Sequence, residues 1–513
     1  DFMNNSYAKK NGKRLCCILA SQFTNMKKIT LLTCLVFSGF FVFGQSKITF
    51  IEYDLPNGIH VILHEEHNTP IVAVSVLYHV GSKNENPERT GFAHFFEHLL
   101  FEGSQNIGRG EYSKLVEKNG GALNANTSQD RTYYYEILPS NQLELGLWLE
   151  SERMLHAKVE TVGIETQRSV VKEEKRQRVD NQPYGGFISE MFKRAFPTHP
   201  YRWVPIGSME HLDAAQEADY VQFYQDYYVP CNATLSIAGD IPLEQTKQWI
   251  AKYFGSIPAG QALNLYRDLV ALPEAKFQSK YGIEKGKFDA KDLSKTKDKQ
   301  ALSLINKMQS TPIVVKRTTK DDQPIMGVVK DTVYDNIQLP AIFMGYKIPN
   351  QQHPDSYALE FMNEVLSGSN SSHMNKSLIE RKQIATYAGS FNYGLEDGGM
   401  NIFLALAKEG VELSTIMSAL DEEIRVIKEQ LISEEEYQSV LNKFEKQVIE
   451  SNASVAGIAE SLADNHVYFG SANRTNEMLA LYRKVTREDI LRVANAYLTD
   501  NARVILYYLP KQK

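Results

Sequence analysis

His94-Phe95-Phe96-Glu97-His98 is the stretch on which the reading of this chain turns. On a helix, residues four apart share a face, so His94 and His98 look the same way, and Glu97 leans toward them. Two imidazoles so placed can hold one zinc ion with a carboxylate beside it. A catalytic zinc takes three protein ligands and leaves one position open. It brings the pKa of water down to about 7, where a nearby Glu can take the proton. The order H-x-x-E-H inverts the commoner H-E-x-x-H. Satisfied structural histidines are the bland alternative. The context argues against them: Leu99-Leu100-Phe101 extends the apolar side of the helix, and Gly103 can end it.

The third ligand has to come from elsewhere. Gln167-Arg168-Ser169-Val170-Val171-Lys172-Glu173-Glu174 lies on a predicted helix, and spacing leaves Glu173 and Glu174 both open. Between the two helices the pattern changes period. Residues 48–80 read as strands, with a β-branched run at 71–80. Residues 90–103 and 110–119 read as helices, and Gly120-Gly121 stops the second. Strands at 122–126 and 132–138 precede helices at 141–156 and 160–178. A strand at 233–238 and a helix at 243–253 follow. The fold class is α+β, with helices segregated from a mostly antiparallel sheet.

Residues 338–513 repeat this logic. Strands are expected at 341–346, 385–393, 400–407 and 503–509, and helices at 356–366, 413–430, 434–450 and 487–497. The chain thus reads as two similar α+β domains, 46–260 and 326–513. Between them, residues 261–325 include Lys291-Asp292-Leu293-Ser294-Lys295-Thr296-Lys297-Asp298-Lys299-Gln300, read as a charged linker or solvated insertion with some helix at 301–308.

The 513 residues carry 56 Lys and Arg against 62 Asp and Glu, a net charge of −6, with 43% apolar residues. That composition is globular, and no polybasic footprint for nucleic acid is present. Met26-Lys27-Lys28 followed by the uncharged run 29–44 has the layout of a secretory signal peptide. An uncleaved anchor is the alternative, but the run is short for a membrane span. Residues 1–25, upstream of that start, are set aside as not native mature chain. Without residues 1–44 the net charge moves from −6 to −11, which disfavours anionic partners. Cys16, Cys17 and Cys34 fall in the removed segment, leaving Cys231 without a disulfide mate. Cys231 is expected at a strand start as a small buried apolar residue. His60, His64, His67 and His79 are expected on the surface or in hairpins.

These motifs resemble the pitrilysin, insulinase and mitochondrial-processing-peptidase family of inverted zinc peptidases, in its short two-domain form. The similarity rests on Thr90 to Ser104, on Gly120-Gly121-Ala122-Leu123-Asn124-Ala125-Asn126-Thr127, and on Val170-Val171-Lys172-Glu173-Glu174. Phe223-Tyr224, Tyr228-Val229-Pro230 and Gly239-Asp240 also match. The resemblance implies one Zn²⁺ held by His94, His98 and Glu174, with Glu97 as general base. It places a supporting Glu seven residues before the third ligand, where this chain has Gln167. It implies peptide capture along the strand edge at Asn124 and Ala125, since an edge can pair with an extended peptide through main-chain hydrogen bonds. The implied activity is zinc-dependent endopeptidase cleavage of unfolded peptides by an exported, periplasmic or secreted protein. The competing reading is a non-catalytic scaffold or assembly subunit.

The resemblance also bears on partners. Working members of the family enclose a chamber with four α+β units, and this chain supplies two. A homodimer, or a heterodimer with a metal-free homologous subunit, is therefore implied. The family completes its site from across the chamber with an Arg and a Tyr. Ile379 and Thr386 stand at those positions here, with Arg381 and Tyr387 close by. The absence of that pair favours the heterodimer; the alternative is a local shift of register by which Arg381 and Tyr387 substitute for it.

Overall fold

The computed structural model describes residues 47–318 and 323–511. The upstream segment and the expected signal peptide lie outside the described residues. The described residues from Ile48 onward form one compact unit built on two sheets. The first contains β1 (Ile51–Asp54), β2 (His60–Glu65), β3 (Ile71–Tyr78), β4 (Ala122–Thr127), β5 (Thr132–Pro139) and β6 (Ala233–Gly239), in the order β1-β2-β6-β3-β5-β4. The second contains β7 (Val328–Asp335), β8 (Ala341–Ile348), β9 (Ala385–Gly394), β10 (Gly399–Ala407) and β11 (Arg503–Pro510), in the order β7-β11-β8-β10-β9. Each sheet has a single parallel pair, β2 with β6 and β7 with β11, and is otherwise antiparallel. This is the expected α+β architecture.

Side chains alternate across a strand, and β3 shows what that alternation meets. Val72, Val74, Val76 and Tyr78 enter the main core of the first half. Ala73 and Leu77 face the opposite side, where the Val455–Phe469 helix covers them with Val455, Ile458, Ala459, Leu462 and Ala463. That helix comes from the far end of the chain. The exchange is reciprocal. The Phe187–Ala195 helix of the first half lays Met191, Phe192 and Ala195 on Ala341, Phe343, Met400 and Val504 of the second sheet. Each half therefore covers one face of the other's sheet, and the central strands are apolar on both sides because both sides are buried.

The stretch 261–325 is packed rather than solvated. It carries helices Ala262–Ala271, Glu274–Tyr281 and Lys299–Ser310 around Leu265, Phe277, Leu293, Ala301 and Ile305, with Leu155 of the first half against them. Arg267 and Asp268 are buried, Arg267 donating to the carbonyls of Met154 and Tyr228, and other charges of the stretch serve helix ends. Asp298 Oδ1, for example, accepts from the amides of Gln300 and Ala301 and caps the third helix.

Three local expectations are corrected. Cys231 is an exposed free thiol in a short helical turn, Pro230–Asn232, because β6 begins only at Ala233. His64 is buried on β2, with Nδ1 2.6 Å from the Thr49 carbonyl. His79 is largely buried and pairs with Glu396 of the second half at 2.7 Å. Glu396, far along the chain, holds His79 inside, and the nearby Thr49 carbonyl holds His64.

Candidate metal centre

The Phe92–Leu99 helix is short and amphipathic. Phe92, Phe95, Phe96 and Leu99 enter the core, and Phe92 stacks on Tyr220 with ring centroids 4.5 Å apart. Tyr220 lies on the Glu217–Tyr227 helix, which was not read from the sequence. The opposite side of the short helix presents His94, Glu97 and His98.

Both ends of this helix are fastened. Gly91 caps the start at φ 96, a left-handed conformation that suits glycine, and lies against Gly207 and Ile206. The buried Glu85 carboxylate accepts from the amides of Gly91 and Ala93, both at 2.9 Å. Burial pushes Glu85 up to about 8, against those amides, which favour its ionised form. At the other end Tyr134 Oη donates to the Phe96 carbonyl and Arg153 Nη1 to that of Leu100, each at 2.9 Å. Arg153 is itself fully buried between Glu136 and Glu150.

The Thr161–Lys175 helix brings Glu174 to the histidines. Glu174 Oε2 lies 3.5 Å from His94 Nε2 and 3.1 Å from His98 Nε2. One ligand atom from each of the three residues falls within 4.8 Å of the other two. Glu173 turns to solvent, its side chain 53% exposed, and binds Arg176 and Gln177. Of the two acidic neighbours, Glu174 is thus the one the fold brings to the histidine pair. Its other oxygen, Oε1, lies 2.8 Å from Arg178 in the π-helical turn Arg176–Asp180.

The electrostatics suit a cation. Burial takes His94 down to about 3, with the charges of His98 and Arg178 acting in the same direction. Burial also lowers His98, against the Glu174 carboxylate. Both imidazoles therefore keep lone pairs available. Glu174 Oε2 is buried with no hydrogen-bond partner. Two neutral imidazoles and an unpartnered carboxylate oxygen are a donor set that fits Zn²⁺. Glu97 stands beside them, raised by burial against a 2.6 Å hydrogen bond from Thr127 Oγ1 to its Oε2.

Gln167 donates to Glu102 Oε1 at 2.5 Å and keeps a buried Oε1 without a partner. Asn124 and Ala125 lie on β4, the edge of the first sheet next to the metal helix. The Asn124 side chain accepts from the Ala125 amide at 2.9 Å. In the second half, Ile379 and Arg381 sit in the turn Asn375–Arg381, and Thr386 and Tyr387 on edge strand β9. Arg381 donates to the Lys376 carbonyl, and Tyr387 is 52% exposed. Among the described residues neither bonds the His94, His98 and Glu174 group.

Residues 60–199 match the insulinase family (peptidase family M16), and residues 216–444 match the peptidase M16 inactive domain. Zinc protease PqqE of Helicobacter pylori is 30% identical over 465 residues, covering 89% of this chain and 92% of that protein. A probable mitochondrial-processing peptidase subunit beta of Arabidopsis thaliana is 23% identical over 454 residues, covering 87% and 76%. The crystal structure of a protease from Helicobacter pylori superposes with a TM-score of 0.76 at 25% identity, covering 90% of this chain and 100% of that one. The periplasmic protease PqqL from Escherichia coli shares the fold at a TM-score of 0.64 and 17% identity, with 90% of this chain matched to 47% of that one. With the inverted motif on its helix and an acidic residue brought to it from a second helix, this chain belongs to the insulinase family of peptidases, M16.

Proposed function

We propose that this chain is a zinc metalloendopeptidase that hydrolyses unfolded peptides. The observation that carries the reading is the convergence of His94, His98 and Glu174 with Glu97 beside them. These three residues would hold the ion. Bound zinc supplies Lewis acidity, polarising an amide carbonyl and lowering the proton affinity of water.

The remaining chemistry belongs to this chain's own side chains. Glu97 takes the proton of the attacking water and delivers it to the leaving amine nitrogen. Thr127 holds Glu97 Oε2, so the free oxygen, Oε1, is the one that moves the proton. Burial raises the proton affinity of Glu97, which suits a base that must later act as an acid. Gln167 braces the ligand helix through Glu102 without adding a charge.

The free edge of β4 accepts an extended peptide, with Asn124 and Ala125 offering backbone groups beside the centre. Because main-chain groups do the binding, selectivity for side chains is loose and folded proteins are spared. The protein is exported, in keeping with the signal layout at 26–44. It works with a second chain, a copy of itself or a metal-free homologue. A chain that matches 47% of the PqqL chain supports that reading. The scaffold reading is favoured by one observation, the Ile379 and Thr386 that stand in place of the family's Arg and Tyr.

Zinc content and peptide cleavage, measured on the mature chain alone and with a partner carrying the Arg and Tyr, decide between the two. Stoichiometric zinc and chelator-sensitive cleavage support the peptidase. Absence of both, with or without the partner, supports the scaffold.

A further inference from the structure

At the other edge of the first sheet, away from β4, a second group of donors meets. Asp54 and His60 are directly paired across β1 and β2, and Glu52 lies two residues back along β1 on the same face. His466 arrives from the Val455–Phe469 helix of the second half. Glu52, His60 and His466 each bring one ligand atom within 4.8 Å of the others.

The hydrogen bonding leaves one ring nitrogen of this group without a partner. Asp54 Oδ1 lies 2.7 Å from His60 Nδ1 and takes its hydrogen. That orients the ring and leaves Nε2 as the donor, the device by which carboxylates prepare histidines for metals. His60 Nε2 is buried, has no hydrogen-bond partner, and lies 3.4 Å from Glu52 Oε2. The His60 Nε2 atom thus faces the Glu52 carboxylate, with a second imidazole stacked on the first at 3.5 Å between centroids and 6° between planes.

We propose that Glu52, His60 and His466 form a second divalent-cation site, oriented by Asp54, which ties the first sheet to the second half of the chain. Two imidazoles and a carboxylate select Zn²⁺, Ni²⁺ or Cu²⁺ over Ca²⁺ and Mg²⁺. The two carboxylates balance the charge of a dication. The rings lie parallel here, so their lone pairs run side by side. Closure on an ion takes a rotation of the His466 ring, and the half-exposed Glu52 can follow it. An ion at this point stabilises the native chain by mass action, because it joins groups more than 400 residues apart.

The test is zinc chloride titration of the metal-stripped mature chain, with bound zinc counted by equilibrium dialysis and mass spectrometry. His466→Gln is expected to bind one equivalent fewer than wild type, and Glu52→Gln to bind that equivalent about tenfold more weakly. The exposed control His353→Gln is expected to match wild type. Zinc beyond the first equivalent should raise the melting temperature of wild type and not that of His466→Gln. Should His466→Gln fail to fold, Glu52→Gln decides, since it leaves both rings in place. Equal counts in wild type and a folded His466→Gln, or equal counts and affinities in wild type and Glu52→Gln, overturn the proposal.

Discussion

Glu97 and Glu174 differ in what their neighbours ask of them. Glu97 is held by one hydroxyl and faces the histidine pair without joining it, whereas Glu174 points a bare oxygen between the two rings. Glu97→Gln should therefore keep its zinc, since no ligand is lost. It should lose turnover by about 10²–10⁴-fold, the usual contribution of a positioned acid–base group. Metal analysis and single-turnover peptide cleavage on the same preparation check this, and undiminished turnover in a zinc-replete variant would refute the role. Glu174→Gln should weaken zinc binding by at least the roughly 10–100-fold that loss of a supporting residue costs. Glu173→Gln, at the solvent face, should bind zinc like wild type. Competition with a zinc chelator reads both, and equal affinities in the two variants would remove Glu174 from the ligand set.

At the scale of the element, the metal helix is short and depends on its anchors. Gly91→Ala places a Cβ where the left-handed conformation costs about 1–2 kcal/mol, against Gly207 Cα 3.2 Å away. A lower melting temperature and weaker zinc binding are expected together; a drop in neither would show that the helix start is not under constraint. Arg153 holds the other end. Arg153→Met leaves Glu136 and Glu150 facing each other in the core and should cost about 3–5 kcal/mol. Urea unfolding measures it, and a change under 1 kcal/mol would mean that the buried triad is not needed for stability.

Across the whole molecule, the two halves are joined by exchanged helices and by buried charge. Lys83 of the first half lies 3.0 Å from Asp130 and 2.6 and 3.3 Å from Glu396 and Asp397 of the hairpin between β9 and β10. Burial pushes the Glu396 carboxyl up, but His79 and Lys83 outweigh it and hold the group down at about 2, against an ordinary value of 4.5. A depressed carboxylate stabilises the native state above its unfolded pKa, and this is lost as pH falls through the folded value. The window thus runs from pH 4.5 down to about 2, and the loss on order-of-magnitude grounds is ~3 kcal/mol. Melting temperatures from pH 6 to 2 should fall less steeply for Glu396→Gln than for wild type. Parallel curves would show that the pair contributes nothing to acid stability.

The inverted motif, the α+β pattern and most elements were legible because each is a local signal. Helical spacing puts His94 beside His98, and the apolar alternation of β3 needs no distant information to be seen. What stayed hidden is long-range. The Phe187–Ala195 and Val455–Phe469 helices carry apolar stripes at helical spacing, but the surfaces those stripes meet lie in the opposite half of the chain, which no local pattern reveals. β7 escapes a sequence reading because Val328–Asp335 is a half-exposed edge whose one strand partner among the described residues is the C-terminal strand β11. Residues 291–300 looked solvated because their charges hide Leu293, which only packing takes inside. Spacing alone left Glu173 and Glu174 equal. Adjacent residues on a helix point about 100° apart, and only the docking of the Thr161–Lys175 helix against the metal helix decides which of them meets the histidines.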